Sequence, residues 1–121
     1  MNLDNAVVKH GEWKLKLRHA ITNKETLDAA VISKDNQCEL GKWLHGEGKT
    51  QCHHLPSYAK VVAAHAAFHK EVGKVANAVN AKKFDEASAL MASGSAYAQA
   101  STQVGGLIFE LKNQMAIKKA S

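Results

Sequence analysis

Apolar residues recur at intervals of three and four along most of this chain, the period of an amphipathic helix. From Leu3 to Ile21, the residues Leu3, Ala6, Val7, His10, Trp13, Leu17 and Ala20 share one stripe, and Asn2 or Asp4 offers a cap at its start. Thr22 and Glu25 have the spacing of a capping box and predict a second, shorter helix through about Ser33. Lys34 to Gln37 reads as a loop. Cys38 to Leu44 predicts a short helix, limited to about two turns by Gly41, Gly46 and Gly48, and a loop through Gln51 and His54 follows. Pro56 and Ser57 suit the first turn of a long helix. Its stripe runs Tyr58, Val61, Val62, His65, Phe68, His69, Val72, Val75, Ala76 and Val79. Asn80-Ala81-Lys82 makes a turn, and Asp85-Glu86 opens a last helix reaching about Lys118. Its small residues Ala87, Ser88, Ala92, Gly94, Ala98 and Gly105 suit close helix contact.

The simplest packing of these segments is all-α: an antiparallel four-helix bundle with an additional short helix carrying Cys38. Composition agrees, since alanine is frequent and Pro56 is the only proline in 121 residues. That length suits one domain over residues 1–121, and neither an internal repeat nor a linker is evident. The N-terminus lacks a basic segment followed by an apolar core, and no apolar run approaches the ~20 residues that span a bilayer. The expectation is a cytoplasmic protein without membrane insertion. Two cysteines, Cys38 and Cys52, are too few for a disulfide scaffold, so thiol or metal chemistry is expected of them.

The formal charge of +5 comes from fifteen lysines and one arginine against eleven acids. The lysines are scattered, apart from Lys82-Lys83 and Lys118-Lys119, and arginine and aromatics do not cluster with them. That is the pattern of a solvated face, and no nucleic-acid partner is expected.

The chemistry begins with two histidines on the long helix's apolar stripe. His65 and His69 are four residues apart, which aims both imidazoles at one point. Taken alone, the pair is equally compatible with two satisfied core histidines. Facing elements add His10 from the first stripe and Cys38 from the short helix. Three imidazoles and one thiolate suit tetrahedral zinc, with no open position for a reactive water and a net charge near +1 at the site. A competing set, Cys52-His53-His54 with His45 and Cys38, is local and irregular, and surface histidines account for it more simply. His19 reads as a surface or boundary residue.

The three motifs resemble the chemoreceptor zinc-binding (CZB) domain family. They are His10-Gly11-Glu12-Trp13, then Cys38-Glu39-Leu40-Gly41-Lys42-Trp43, then His65-Ala66-Ala67-Phe68-His69. The resemblance implies zinc ligand roles for His10, Cys38, His65 and His69, and a bacterial, cytoplasmic, often dimeric sensory module. It also implies a chemoreceptor or diguanylate cyclase as signalling partner. Leu40 and Trp43 are then expected to shield the site, and Gly41 to let the short helix approach the bundle.

Two readings of function follow. In one, the domain senses zinc itself or oxidation of the Cys38 thiolate, with Cys52 as a resolving thiol. Zinc loss would then free the short helix, held to the metal by Cys38 alone. In the other, zinc is purely structural and the bundle is a dimerisation or interaction module. Neither reading is an enzyme, since a zinc hydrolase needs three protein ligands, a bound water and a general base.

Overall fold

A computed structural model describes residues 3–34 and 38–120, the side chains of 117–120 excepted. Seven helices occur among them and no strand: α1 (Leu3–Asn23), α2 (Ala29–Ile32), α3 (Glu39–His45), α4 (Glu47–Cys52), α5 (Pro56–Asn80), α6 (Phe84–Leu90) and α7 (Ala96–Ala120). The chain traverses the bundle four times. Asp4 meets Lys112, Ser57 meets Gln114 and Phe68 meets Tyr97, so α7 runs antiparallel to both α1 and α5. The second pass descends along α5, with Leu27 beside Asn80, Ser33 over Gly73 and Cys38 against His65. This is the expected antiparallel bundle with Cys38 on a short helix, but its second leg is built from short helical pieces.

Several boundaries differ from the sequence expectation, each for a local reason. Thr22 does not open a second helix, because α1 continues to Asn23 and ends where Lys24 turns left-handed at φ 55°. The Glu25 amide then donates back to Ala20 (2.9 Å), which closes the end as a Schellman motif. The second helix shrinks to the single turn α2, capped by the Asp28 carboxylate on the Val31 amide. Asp35 to Gln37 of the expected loop, and the candidate cap Asn2, lie outside the described residues. Asp4 sits inside the first turn of α1 rather than at its cap.

The segment expected as a loop after α3 contains α4, which folds tightly back. A side chain at Gly48 would bring its Cβ to 2.8 Å from Trp43, so only glycine permits this return. The single last helix is instead two, α6 and α7. Gly94 breaks them with φ 81°, and the Ser95 hydroxyl caps α7 by accepting from the Ala98 amide. Gly94 therefore serves the break rather than helix contact, and at Gly105 a Cβ would meet open space.

The core joins the predicted stripes of α1 and α5 to apolar residues of α3 and α7 that no predicted stripe contained. Leu17, Leu44, Val61, Phe68, Val72, Val104, Ile108 and Leu111 are fully buried, each contributing about 1.5–3 kcal/mol by removal from water. Val7 departs from its stripe and is exposed. The first turn of α5 lacks a cap of its own, and α7 supplies one. Gln114 accepts from the Ser57 amide (3.1 Å) and donates to the Ser57 hydroxyl (2.8 Å), which in turn donates to Glu110.

Candidate metal centre

Four donors converge from three elements. His10 comes from the buried stripe of α1, Cys38 from the N-cap of α3, and His65 and His69 from adjacent turns of α5. One ligating atom from each lies within 4.8 Å of every other. Cys38 Sγ is 3.2 Å from His65 Nε2 and 3.5 Å from His69 Nε2. Zinc bonds of about 2.0–2.1 Å to nitrogen and 2.3 Å to sulfur set donor separations of roughly 3.3–3.6 Å in a tetrahedron. The sulfur–nitrogen separations to His65 and His69 are therefore already close to those an ion requires, and no pair of donors lies farther apart than 4.8 Å.

The ring orientations follow from hydrogen bonds made on the far side. His69 Nδ1 donates to the Ile32 carbonyl (2.8 Å), and His10 Nδ1 donates to the Ala6 carbonyl (2.9 Å). In both rings this leaves the Nε2 lone pair facing the other donors, the tautomer a metal ligand needs. His10 Nε2 is buried and has no hydrogen-bond partner among the described residues. Such an atom costs about 1–3 kcal/mol unless something occupies its lone pair, and a cation at the centre of the group would do so. Burial pushes the His10 imidazole below the ordinary histidine value, the bond to Ala6 opposes this, and the neighbouring His69 adds to the lowering. A neutral ring, ready to ligate, is the result.

Aromatic groups enclose the cage. The His65 and His69 rings meet at 74° with centroids 4.6 Å apart, and Phe68 packs on both His10 and His69. Trp13 stands edge-on to His69. His65 and His69 are fully shut off from solvent, whereas Cys38 is only partly buried. The Gly41 amide donates to the Cys38 sulfur (3.3 Å), which favours negative charge there.

Residues 10–76, just over half the chain, match the family model of the chemoreceptor zinc-binding domain. The chain belongs to this CZB family. The match runs from His10 to Ala76 and takes in all four donors. Zinc is accordingly its metal, and a group of three imidazoles and one sulfur is able to hold it. Comparison with curated proteins and with solved structures gives no match. No helix among the described residues is long and apolar enough to cross a membrane.

The competing ligand set is not assembled in this CZB domain. Cys52 is fully buried with its sulfur 4.0 Å from that of Met115, the His53 ring bonds the Lys49 carbonyl, and His45, His53 and His54 are exposed. His19 lies at the surface as expected, beside Asn23 and Glu25. Leu40 and Trp43 are buried next to the centre, and Gly41 is tied to it through its amide.

Sequence reasoning missed the supports one layer out. The Ile32 carbonyl reaches His69 because α2 ends directly on α5, where a Cβ on Gly73 would come within 2.6 Å of the Ser33 Cβ. A glycine one turn beyond His69 on an otherwise apolar stripe costs about 1 kcal/mol in helix stability, and that anomaly was the available signal. The Tyr58 hydroxyl, which donates to the Leu44 carbonyl (2.5 Å), gave none. With Leu40, Trp43 and Leu44 all buried, this bond holds α3 to the bundle in addition to the tie that Cys38 makes to the centre.

Proposed function

We propose that His10, Cys38, His65 and His69 are the four ligands of one zinc ion, and that the domain is a sensor in which the sulfur is the responsive ligand. One observation carries this reading: the sulfur is the partly exposed member of a cage whose imidazoles are buried. An oxidant such as hypochlorous acid transfers oxygen to the thiolate with departure of chloride, giving a sulfenic acid that binds zinc poorly. Thiols reverse the step, forming a disulfide with loss of water. The buried Cys52, directed at Met115, is not presented for this role, so an external thiol is the reductant. Four protein donors fill a tetrahedral shell, so the reading contains no catalytic step at the metal.

Zinc content per chain tests the assignment. Natural protein should retain one equivalent, and Cys38→Ser and His65→Ala should each retain far less. Equal retention in both variants overturns it. Oxidant-driven zinc release from the natural chain, absent in Cys38→Ser, then tests the redox branch.

A purely structural zinc is the second reading, and the anchoring of α3 through Tyr58 and three buried side chains, which does not involve the metal, counts against it. Titration against a zinc buffer separates the readings. A structural site loses helicity cooperatively when stripped, whereas a sensor keeps its helices and changes around Cys38. The wider reading is of a single cytoplasmic domain acting as a homodimer and signalling through a chemoreceptor or diguanylate cyclase. Support for the dimer comes from Val8 and Leu15 on α1 and Phe109 on α7, all large, apolar and exposed. Sedimentation of the natural chain against Leu15→Glu measures it.

A further inference from the structure

A cavity of about 480 Å³ opens between α1 and α3, directly over the exposed side of the metal centre. Its floor includes His10 and Cys38, its walls are Trp13, Leu40 and Trp43, and Lys9 and Lys42 stand among its lining residues. Zinc itself fills only a small part of such a volume. The size and character are those of a small-molecule site: apolar and aromatic walls with a few charged groups.

Charge decides the class of ligand. Glu39 also lines the cavity but is paired with Lys9 at 2.5 Å, so two cations stand against one carboxylate. The zinc-loaded floor adds its own charge of about +1, from Zn2+ and one thiolate. We infer that this cavity binds a small amphiphilic carboxylate, its planar apolar body against the two indoles and its anionic end towards Lys42 and the metal. The contribution of the floor rests on the zinc reading above, whereas the walls and lysines do not. Ligand and zinc then favour one another reciprocally, since each is bound more tightly in the presence of the other.

The chain's two tryptophans both line the cavity, so intrinsic fluorescence reports directly on its occupancy. Benzoate is the probe and benzyl alcohol its neutral counterpart, titrated into the zinc-loaded full chain with zinc content measured on the same samples. The expected result is a saturable change with benzoate, a weaker one with benzyl alcohol, and affinity reduced about three- to fivefold by Lys42→Gln, the range of an exposed ion pair. Added salt should weaken benzoate and leave benzyl alcohol unchanged. In Co2+-substituted protein the ligand-field bands should not move. Absence of saturation, equal affinity for the two probes, or a shift of the Co2+ bands showing carboxylate on the metal would each overturn the inference. Zinc at one equivalent without a benzoate response fails the cavity alone. Benzoate binding by a chain that retains no zinc fails the metal reading and leaves the cavity standing.

Discussion

The imidazole of His69 and the main-chain carbonyl of Ile32 are joined across 2.8 Å, which couples the metal centre to the end of α2. The bond fixes which ring nitrogen faces the other three donors, and outer partners of metal-ligating histidines typically alter metal affinity 10- to 100-fold. Its geometry depends on Gly73, where a Cβ would displace Ser33, the residue after Ile32. Gly73→Ala is therefore expected to weaken zinc binding about tenfold. Gly105→Ala is the control, because its Cβ meets open space and alanine is the better helix former. It should raise stability by up to about 1 kcal/mol and leave zinc affinity unchanged. Competition with a zinc-binding dye measures both variants, and equal affinities would break the proposed link between α2 and the metal.

Removing zinc should act on one end of α3. Cys38 caps that helix, with its sulfur accepting from Gly41, while Leu44 at the other end is fully buried and its carbonyl is held by Tyr58. Chelation is thus expected to speed hydrogen exchange in the first turn, at Gly41 and Lys42, and to leave Leu44 and His45 protected. Exchange followed residue by residue on zinc-loaded and stripped protein distinguishes this from loss of the whole helix. Uniform loss of protection across α3, or across the bundle, would favour the structural reading of the metal.

The Tyr58 hydroxyl makes its own prediction. Tyr58→Phe removes the donor and leaves the Leu44 carbonyl without this bond, at a cost of about 0.5–1.5 kcal/mol. The ring stays in place, so zinc stoichiometry should remain that of the natural chain. Urea unfolding of the zinc-loaded proteins gives the difference, and stripping the metal should make the variant lose order in α3 that the natural chain keeps.

What the sequence made legible follows from where its signals are local. The stripes of α1 and α5, and the four donors that lie on or beside them, are written in residue spacing, because side chains three and four apart share a helical face. The breaks were less visible. Thr22 and Glu25 satisfy a capping pattern, yet Thr22 lies inside α1 and Glu25 closes its C-terminal end, since a cap is used only where tertiary packing starts a helix. Ser93-Gly94-Ser95 carried the signal for the α6–α7 break, but the alanine-rich sequence on either side suggested continuity. The contacts of Ile32 with His69, Tyr58 with Leu44, and Gln114 with Ser57 join residues 14 to 57 positions apart, each between a side chain and a main-chain group. No periodicity encodes such partners.

Two lysines in left-handed backbone offer a last test, on stability alone. Lys24 ends α1 at φ 55° and Lys82 ends α5 at φ 62°, each followed by an amide that donates back to the final turn, Glu25 to Ala20 and Lys83 to Ala78. Glycine is the residue this position favours, because a Cβ makes the left-handed region costly by about 1–2 kcal/mol. The gain is partly offset by the greater freedom of glycine in the unfolded chain, which leaves about 0.5–1 kcal/mol for each substitution. Neither lysine is among the metal donors, and Lys82 makes no ion pair among the described residues. Lys24 lies over the Phe84 ring at 5.9 Å, so Lys24→Gly should gain less than Lys82→Gly. Together the two should raise the unfolding temperature by roughly 3–6 °C with unchanged zinc content. A fall in that temperature would mean that these helix ends do not adopt the left-handed closure in solution.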